Sequence, residues 1–510
     1  MTEVHWTEVD GVTTIWTDVE GPLRAGLFFR AGRADETLTT AGHTHLIEHI
    51  TLSTMGASLQ ASNGIVGGIF TGFLVAGSPE DVSLFLSGVC KTLQNLPTER
   101  LEAEKKILIA ESAARPSDFR LNLLTNRFGA VGHGLLGMPE LGVRSATLEQ
   151  LQQIRLKRFT RENAVLWLTG SPPAGLRLDL PSGSKQPMPA LTPIHSTFPS
   201  WHLDNAIGGM AAGFTVPRVA EAPIFSTIVL ERLQKRLRIE QAVSYSPSAF
   251  YDPLDANTAS LTLYADSDQN RRNELVQAFG DFYEKLTEIN EAEVEAAKKR
   301  HQEQMAGALA PSASDRAFME IQRCAIEWIF GREFQSAEQI LEEALLVSAD
   351  DVMAFGRNVP QTTIFALPPN VKVWPWMGKQ ANFSHSSPLA GREILCVDAP
   401  IQPMRLVHTQ EGVSVKWPNG SHNTILYSNL AAVVQFEDGC IHLVGSNANW
   451  IAIEPTLWRN GAAICKEIRK QVPPHLLIEN GSRPSDQIPK PTTTAWQRFR
   501  ASLGPQKKGR

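Results

Sequence analysis

The sequence has 510 residues, a formal net charge of -5 and a pI near 6.3. This length suggests about three domains, and the 42% hydrophobic and 20% charged shares are those of an ordinary globular protein. The balance indicates neither nucleic-acid binding nor an anionic membrane. Because the N-terminus carries acids and no apolar core, no signal peptide is expected, and no apolar run is long enough to span a bilayer.

The cysteines favour a reducing compartment. The five of them lie far apart, at Cys90, Cys324, Cys396, Cys440 and Cys465. Their number is odd and no pair has C-x-x-C spacing, so the pattern favours neither a disulfide framework nor a cysteine zinc site. We therefore expect a cytoplasmic protein.

Residues 1–169 predict an α/β domain. Strands are expected over 11–17, 23–30, 68–77 and 163–170, and helices over 43–52 and 98–114. Ser78 and Thr147 each begin a further helix, Ser78 with acids in the first turn as helix caps require. Residues 170–200 are rich in Pro, Gly and Ser and predict a linker.

Residues 201–370 repeat the first pattern. Strands are expected over 210–216, 259–265 and 363–367, and helices over 223–239, 273–289 and 291–306, with Ser348 capping another. The run Arg-Leu-Glu-Ala-Glu-Lys-Lys from Arg100 matches Glu-Val-Glu-Ala-Ala-Lys-Lys from Glu293. The repeat indicates two sister domains that arose by internal duplication.

Residues 395–475 predict a small β module. Apolar strands are joined by Asn-Gly and Asp-Gly turns, and an amphipathic helix is expected over 458–472. Antiparallel strands followed by such a helix suggest a pleckstrin-homology-like shape. Residues 480–510 are polar, Pro-rich and basic, and predict a disordered tail. The fold class is therefore α+β, with two sister α/β domains and one small module.

One motif indicates metal chemistry. His45 and His49 are four residues apart on a predicted helix, so both imidazoles project from one face and suit a tetrahedral zinc ion. Glu48 lies beside them but is turned aside, which suits a general base that takes a proton from a zinc-activated water. The order HxxEH is the inverzincin signature.

A catalytic zinc needs a third protein ligand. Glu104 and Glu111 are seven residues apart and lie on one face of the predicted helix over 98–114. Either could be a solvated carboxylate. The apolar residues 107–110 before Glu111 predict partial burial, and a buried carboxylate requires a cation.

These motifs together resemble the pitrilysin/insulinase (M16) family of zinc metallopeptidases. The resemblance rests on Arg30-Ala-Gly-Arg-Ala-Asp-Glu36, on Gly42-His-Thr-His-Leu-Ile-Glu-His49 and on Glu104-x6-Glu111, and it spans about residues 5–370. It implies domains of the LuxS/MPP-like type, with one Zn2+ per chain on His45, His49 and Glu111. It further implies that Glu48 is the catalytic base and that Glu104 orients the site.

The second domain is expected to lack a metal site. The helix match places Ala297 and Gln304 where Glu104 and Glu111 stand, and no second HxxEH precedes them. The segment from Leu237 to Tyr245 resembles the family's Arg…Tyr segment, so Arg238 and Tyr245 are expected to bind substrate and to stabilise the tetrahedral intermediate. Taken alone, an arginine such as Arg238 is more often a surface charge, and a tyrosine such as Tyr245 is more often a strand residue.

The family works as a clamshell of two halves, and this chain carries one half plus a module. A homodimer is therefore expected, with a heterodimer containing an M16-like partner as the alternative. The segment after His49 departs from the family: it is short, and Gln60, just before Ala61, stands where an Asn is usual. This departure puts the chamber wall and the cleavage preference in doubt.

The expected function is zinc-dependent hydrolysis of peptides or short unfolded segments inside a closed chamber, without nucleic-acid or membrane partners. Two alternatives stay open: a non-catalytic scaffold of the same fold, and a peptidase dedicated to maturing a precursor or leader peptide.

Overall fold

The computed structural model describes residues 3–55, 62–195, 197–308, 312–381, 387–398 and 404–492. The expectation about Gln60 and Ala61 therefore falls outside the described residues, as does the part of the predicted tail from 493 to 510.

The first half of the chain forms a mixed sheet with helices on it. Its strands are β1 (His5–Val9), β2 (Val12–Trp16), β3 (Leu23–Phe29), β4 (Ser62–Val66), β5 (Thr71–Gly77) and β6 (Ala164–Leu168). Its helices are α1 (His43–Leu52), α2 (Pro79–Gln94), α3 (Leu101–Ala114), α4 (Phe119–Phe128) and α5 (Leu148–Arg158). The strand order is β1-β2-β6-β3-β5-β4, which leaves β4 at an edge. The central strands β3 and β6 are apolar because both faces of the sheet are covered.

The second half contains another sheet of mixed strands. Its strands are β7 (Ser200–Leu203), β8 (Gly209–Pro217), β9 (Ser248–Pro253), β10 (Thr258–Asp266), β11 (Ile364–Leu367) and β12 (Lys379–Gln380). Its helices are α6 (Glu221–Leu233), α7 (Arg272–Tyr283), α8 (Glu291–Ala308), α9 (Ala313–Phe330), α10 (Ala337–Leu346) and α11 (Ala349–Asn358). The strand order is β12-β7-β11-β8-β10-β9.

The two sheets share one topology. The order β2-β6-β3-β5-β4 in the first sheet corresponds to β7-β11-β8-β10-β9 in the second. In both, the first pair is parallel and the other pairs are antiparallel. Along the chain, β3 is followed by helix α1, and its counterpart β8 is followed by helix α6. The internal repeat read from the sequence is thus repeated in the strand pairing.

Helix caps fall where the sequence predicted them, but two helices end early: α7, expected to reach residue 289, ends at Tyr283, and α6 ends before residue 239. Ser78 and Ser348 cap α2 and α11 through capping boxes, as does Thr147 for α5. The single helix expected over 223–239 instead ends at Leu233 and continues as a π-helical turn over Gln234–Glu240. The helices α4, α9 and α10 were not predicted.

The expected linker packs closely against the first domain. Residues 170–199 carry no helix or strand in their described part. Leu176, Leu178 and Leu180 are buried in the core of the first sheet and its helices. The Arg30 guanidinium donates to the Pro187 carbonyl at 2.7 Å. The alternating leucines explain why this Pro- and Gly-rich segment is held in place.

The third unit is the C-terminal module. It contains β13 (Glu393–Leu395), β14 (Arg405–His408), β15 (Gly412–Lys416), β16 (His422–Leu426), β17 (Leu430–Gln435), β18 (Ile441–Gly445), β19 (Trp450–Ile453), α12 (Gly461–Gln471) and β20 (Leu477–Glu479). The sheets β13-β14-β15-β16 and β19-β18-β17-β20 share one core with α12. The module is not wholly antiparallel, because β20 returns after α12 and pairs parallel to β17.

The first part of the predicted tail is packed. Arg483 donates to Asp438 at 2.6 Å and to Glu454 at 2.7 Å. The Thr492 amide donates to Asp398 at 2.8 Å. The expectation of disorder was therefore wrong for residues 480–492, because a basic residue there meets acids of the module.

The module also packs against the first domain. Val434 and Phe436 share an apolar cluster with Leu135 and Met138, in the segment after α4.

Of the described helices, none is long and apolar enough to cross a membrane.

Candidate metal centre

The helix α1 carries the HxxEH motif and begins where the sequence predicted. Its N-cap, Gly42, has a φ of 95°, which glycine adopts without strain. The Glu36 carboxylate accepts the backbone N–H groups of Gly42 at 2.9 Å and of Thr44 at 2.6 Å. A carboxylate at a helix N-terminus is favourable, so the acidic end of the 30–36 segment fixes the start of the motif helix.

Three donor groups converge as a metal site requires. The His49 Nε2 atom lies 3.5 Å from one Glu111 oxygen, and the His45 Nε2 atom lies 4.0 Å from the other. Ligands of a tetrahedral zinc ion with bonds near 2.1 Å are separated by about 3.4 Å. The His49–Glu111 separation is close to this value and the His45–Glu111 separation is longer, and the donor types are those that a divalent metal ion takes.

Each imidazole is hydrogen-bonded to a carboxylate through its Nδ1 atom. The Nδ1 atom of His45 lies 3.2 Å from Glu140 Oε2, and that of His49 lies 3.3 Å from Glu104 Oε2. Since an ionised carboxylate only accepts hydrogen bonds, each neutral imidazole would carry its proton on Nδ1 and leave Nε2 free to coordinate a metal ion. The donor set is therefore prepared for coordination.

Glu48 is buried beside the ligands. One of its oxygens lies 3.8 Å from His49 Nε2, and it is in the group of potential ligands with His45 and His49. Gly64 of the edge strand β4 is so close that an added Cβ would overlap the Glu48 carboxylate. Burial raises the pKa of Glu48 to about 7, with Glu111 and Glu104 also raising it and His45 lowering it. A carboxyl group whose pKa is raised in this way is suited to exchanging protons near neutral pH.

Arginines balance the carboxylates. Arg100 pairs with Glu104 at 2.5 Å, and Arg115 bridges Glu111 at 2.9 Å and Glu140 at 3.3 Å. Burial acts to raise the pKa of Glu140, but the hydrogen bond with His45 and the charges of nearby arginines lower it to about 2. Glu140 is therefore an anion that holds His45.

The structure brings together His45, Glu48, His49, Glu104 and Glu111. Its burial pattern differs from the expectation, since the Glu111 side chain is 46% exposed and the Glu104 side chain 4%. Glu111 is therefore the solvent-exposed carboxylate of the site, whereas Glu104 is buried against His49.

Sequence reasoning missed Glu140 and Arg115. Glu140 follows a Gly-rich segment with no periodicity, 95 residues after His45. Arg115 ends α3 as its C-cap, four residues after Glu111. An i, i+4 ion pair with Glu111 was visible in the sequence, but nothing there indicated Glu140.

Arg238 and Tyr245 contact each other. Arg238 is on the π-helical turn, and its guanidinium lies 5.3 Å from the centroid of the Tyr245 ring. Tyr245 is 75% exposed. Among the described residues, no hydrogen bond or ion pair connects either side chain to His45, His49 or Glu111.

A second group with potential ligands is Cys440, His442 and Glu454 in the module. Both Glu454 oxygens accept from Arg483, at 2.7 and 2.8 Å. Burial raises the pKa of the Cys440 thiol well above its usual value. Because the carboxylate is already paired and the thiol is held neutral, we assign no metal to this group.

Neither a protein-family model nor a curated protein sequence matches the chain. Solved structures do. A protease from Helicobacter pylori is similar with a TM-score of 0.58 and 14% identity, over 73% of this chain and 100% of that one. An inactive domain of peptidase M16 from Pseudomonas fluorescens is similar with a TM-score of 0.60 and 13% identity, over the same shares.

The similarity extends further in a longer protein. The periplasmic protease PqqL from Escherichia coli matches with a TM-score of 0.61 and 13% identity, over 84% of this chain. This chain corresponds to 56% of PqqL. The mixed α/β architecture expected from the sequence is thus confirmed, and the chain has the fold of M16 peptidases.

Proposed function

We propose that the protein is a zinc-dependent endopeptidase that hydrolyses peptides or short unfolded segments. The observation that carries this proposal is the convergence of His45, His49 and Glu111, with both histidine Nδ1 atoms bonded to carboxylates. His45, His49 and Glu111 would hold one zinc ion per chain, as the fold's resemblance to zinc peptidases suggested.

The chain's own residues divide the chemistry between them. When bound, zinc supplies Lewis acidity that lowers the pKa of a water molecule and polarises the scissile carbonyl. Glu48 accepts the proton of the attacking water and then donates it to the leaving amine. Glu104 and Glu140 hold the two imidazoles in one tautomer and orientation throughout.

The edge strand β4 is our candidate for substrate alignment. Among the described strands β4 pairs only with β5, and its Gly64 lies against Glu48. An extended peptide that paired with β4 would bring its backbone close to the base, and pairing through the backbone gives weak sequence selectivity.

We further propose that two chains form the complete enzyme. Arg238 and Tyr245 are exposed, and among the described residues neither makes a hydrogen bond or ion pair with His45, His49 or Glu111, which fits a role at the centre of a facing chain. A homodimer is the simplest assembly, and an M16-like heterodimer the alternative.

We also propose, from the sequence, that the chain divides into domains over 1–169 and 201–370 with a module over 395–475, and that the protein is cytoplasmic.

The scaffold alternative is supported by the similarity to the inactive domain of peptidase M16 from Pseudomonas fluorescens. The presence of every proposed ligand, the base and the bonded carboxylates favours the catalytic reading in this chain. A peptidase dedicated to one precursor is a special case of the proposed function.

Metal content and turnover of the Glu48→Gln variant test the proposal. We expect about one zinc per chain in both the natural protein and the variant, because Glu48 is not a proposed ligand. Cleavage of internally quenched peptides should fall by about 10^3-fold or more in the variant, because the base is lost. Glu8→Gln, an exposed carboxylate on β1, is the matched control and should cleave normally.

A chain without bound zinc, or a Glu48→Gln variant that cleaves at the natural rate, would refute the peptidase. Absence of both zinc and turnover in the natural protein would favour the scaffold.

A further inference from the structure

A cavity of about 780 Å³ opens beside the metal centre. The segment after α3, with Arg115, and the first turn of α4, with Arg120, form one side, and residues 136–140 form another. Phe250 of β9, from the second sheet, completes the lining. The cavity is therefore built by both sister domains.

Side chains that line the cavity also contact the proposed metal ligands. Arg115 lines it and donates to Glu111 at 2.9 Å. Glu140 lines it and lies 3.2 Å from His45 Nδ1. A peptide held at the metal centre would thus place a neighbouring side chain within reach of the cavity.

Cations predominate in its lining. Arg33, Arg115 and Arg120 contribute three positive charges against two from Asp118 and Glu140. Glu111 lies next to Arg115, but its charge would be shared with the metal. A concave site with three arginines in its lining can supply cationic donors to an anionic group.

Arg120 has donors left for a ligand. Its Nε and Nη2 atoms donate to Asp118, at 3.2 and 2.8 Å, but its Nη1 atom has only a 3.7 Å contact, with Asp252. The guanidinium lies 4.9 Å from the centroid of the Phe250 ring, which holds it at the cavity wall. Its side chain is 36% exposed.

We propose that this cavity is a specificity pocket that binds a carboxylate of the substrate, either an Asp or Glu side chain near the scissile bond or the C-terminal carboxylate. Arg120 is the principal donor, since a planar guanidinium matches a carboxylate. This inference rests on the proposed peptide substrate, but it is tested by binding and does not require turnover.

The probes are dye-labelled decapeptides of one neutral sequence in which a single Glu, Gln or Lys is moved along the chain. Each is made with a free and with an amidated C-terminus. Binding to the zinc-loaded Glu48→Gln protein is measured by fluorescence anisotropy. We expect at least one Glu position, or the free C-terminus, to bind about tenfold more tightly than its Gln or amidated counterpart. That advantage should shrink as salt is added.

Charge reversal at Arg120 gives the specific signature. In Glu48→Gln/Arg120→Glu protein, Lys at the same position should bind more tightly than Glu. Arg177→Glu is the control. Arg177 is an exposed arginine that pairs with Asp10, and it is far from Arg120 in the sequence. The control should retain the natural order of affinities.

Equal affinity for Glu, Gln and Lys at every position and for both termini would overturn the pocket, as would failure of all peptides to bind. An unaltered preference in the Arg120→Glu protein would overturn it as well. Carboxylate-dependent binding without any cleavage by the natural protein would refute the proposed peptidase while supporting the pocket.

Discussion

The two candidate histidine ligands are held by carboxylates from different parts of the chain. Glu104 comes from α3, the helix that also supplies Glu111, whereas Glu140 comes from the segment before α5. Glu140 is itself fixed by Arg33 and Arg115, each at 3.3 Å. His45 therefore depends on a small ion-pair network for its orientation.

Replacing Glu140 with Gln should weaken zinc binding by about 10- to 100-fold, because the imidazole loses its anionic partner. The measurement is competition with a chromogenic chelator. The unfolding midpoint of the zinc-free variant, recorded in parallel, separates lost coordination from general destabilisation. Glu99→Gln, an exposed carboxylate before α3, should bind zinc as the natural protein does. Unchanged affinity in Glu140→Gln would contradict the assignment.

At the scale of elements, burial fixes the protonation of side chains remote from the metal. The strand β7 lies between β12 and β11, and its His202 is 4% exposed. Burial is the main cause that lowers the pKa of His202 to about 4, with His195 acting in the same direction and Asp204 against it. His202 is therefore neutral in the folded protein at physiological pH.

This burial makes stability depend on pH. In the unfolded chain the His202 pKa is near 6.5, so the unfolded state binds more protons as pH falls from 6.5 toward 4, and stability is lost over that window. By pH 5 the loss from this one group is about 2 kcal/mol. His202→Leu should therefore lose less stability than the natural protein between pH 7.5 and pH 5.0, measured by urea denaturation.

The exposed His475 provides the control for that experiment. His475→Leu should follow the natural protein at both pH values. A His202→Leu variant with the full natural acid sensitivity would show that burial of this imidazole does not contribute.

At the scale of the whole molecule, the first domain is supported from two sides. The helix α9 of the second half packs its Ile321 and Cys324 against Phe28 and Trp167 of the first sheet. The C-terminal module packs against the segment after α4, with the Ala130 amide donating to the Ser446 carbonyl at 2.8 Å. That segment leads to Glu140, so the module stabilises the surroundings of the metal centre.

The proposed sharing of sites between two chains predicts complementation. Arg238→Ala should lower cleavage by about 10²-fold, since a group that stabilises the intermediate is lost. Mixing Arg238→Ala chains with Glu48→Gln chains during refolding or co-expression should restore about one quarter of the natural activity. Half of the dimers are then mixed, and each mixed dimer has one complete site.

A mixture of Glu48→Gln with the double variant Glu48→Gln/Arg238→Ala is the negative control, because none of its dimers has a complete site. The particle mass should be twice 56.1 kDa. No recovery in the first mixture, or natural activity in Arg238→Ala alone, would contradict a shared site.

Local spacing was enough to predict the motif helix and most strands. A separation of four residues puts His45 and His49 on one helical face wherever that helix packs. The sequence did not reveal α4, in which Arg127 is buried and donates to the carbonyls of Gly213 and Thr362. An arginine in a sequence normally predicts a solvent-exposed position. Only the carbonyl partners of Arg127 in the second half of the chain explain its burial.

The sequence by itself therefore determined the HxxEH helix, the Glu104 and Glu111 pair and the repeated sister pattern, because each depends on short-range helix and strand geometry. Tertiary structure alone decided that Glu140 contacts His45, that Glu111 is the exposed carboxylate and Glu104 the buried one, and that Arg120 lines a cavity to which both sheets contribute. These contacts join residues far apart in the chain, and their formation depends on how the sheets and helices pack.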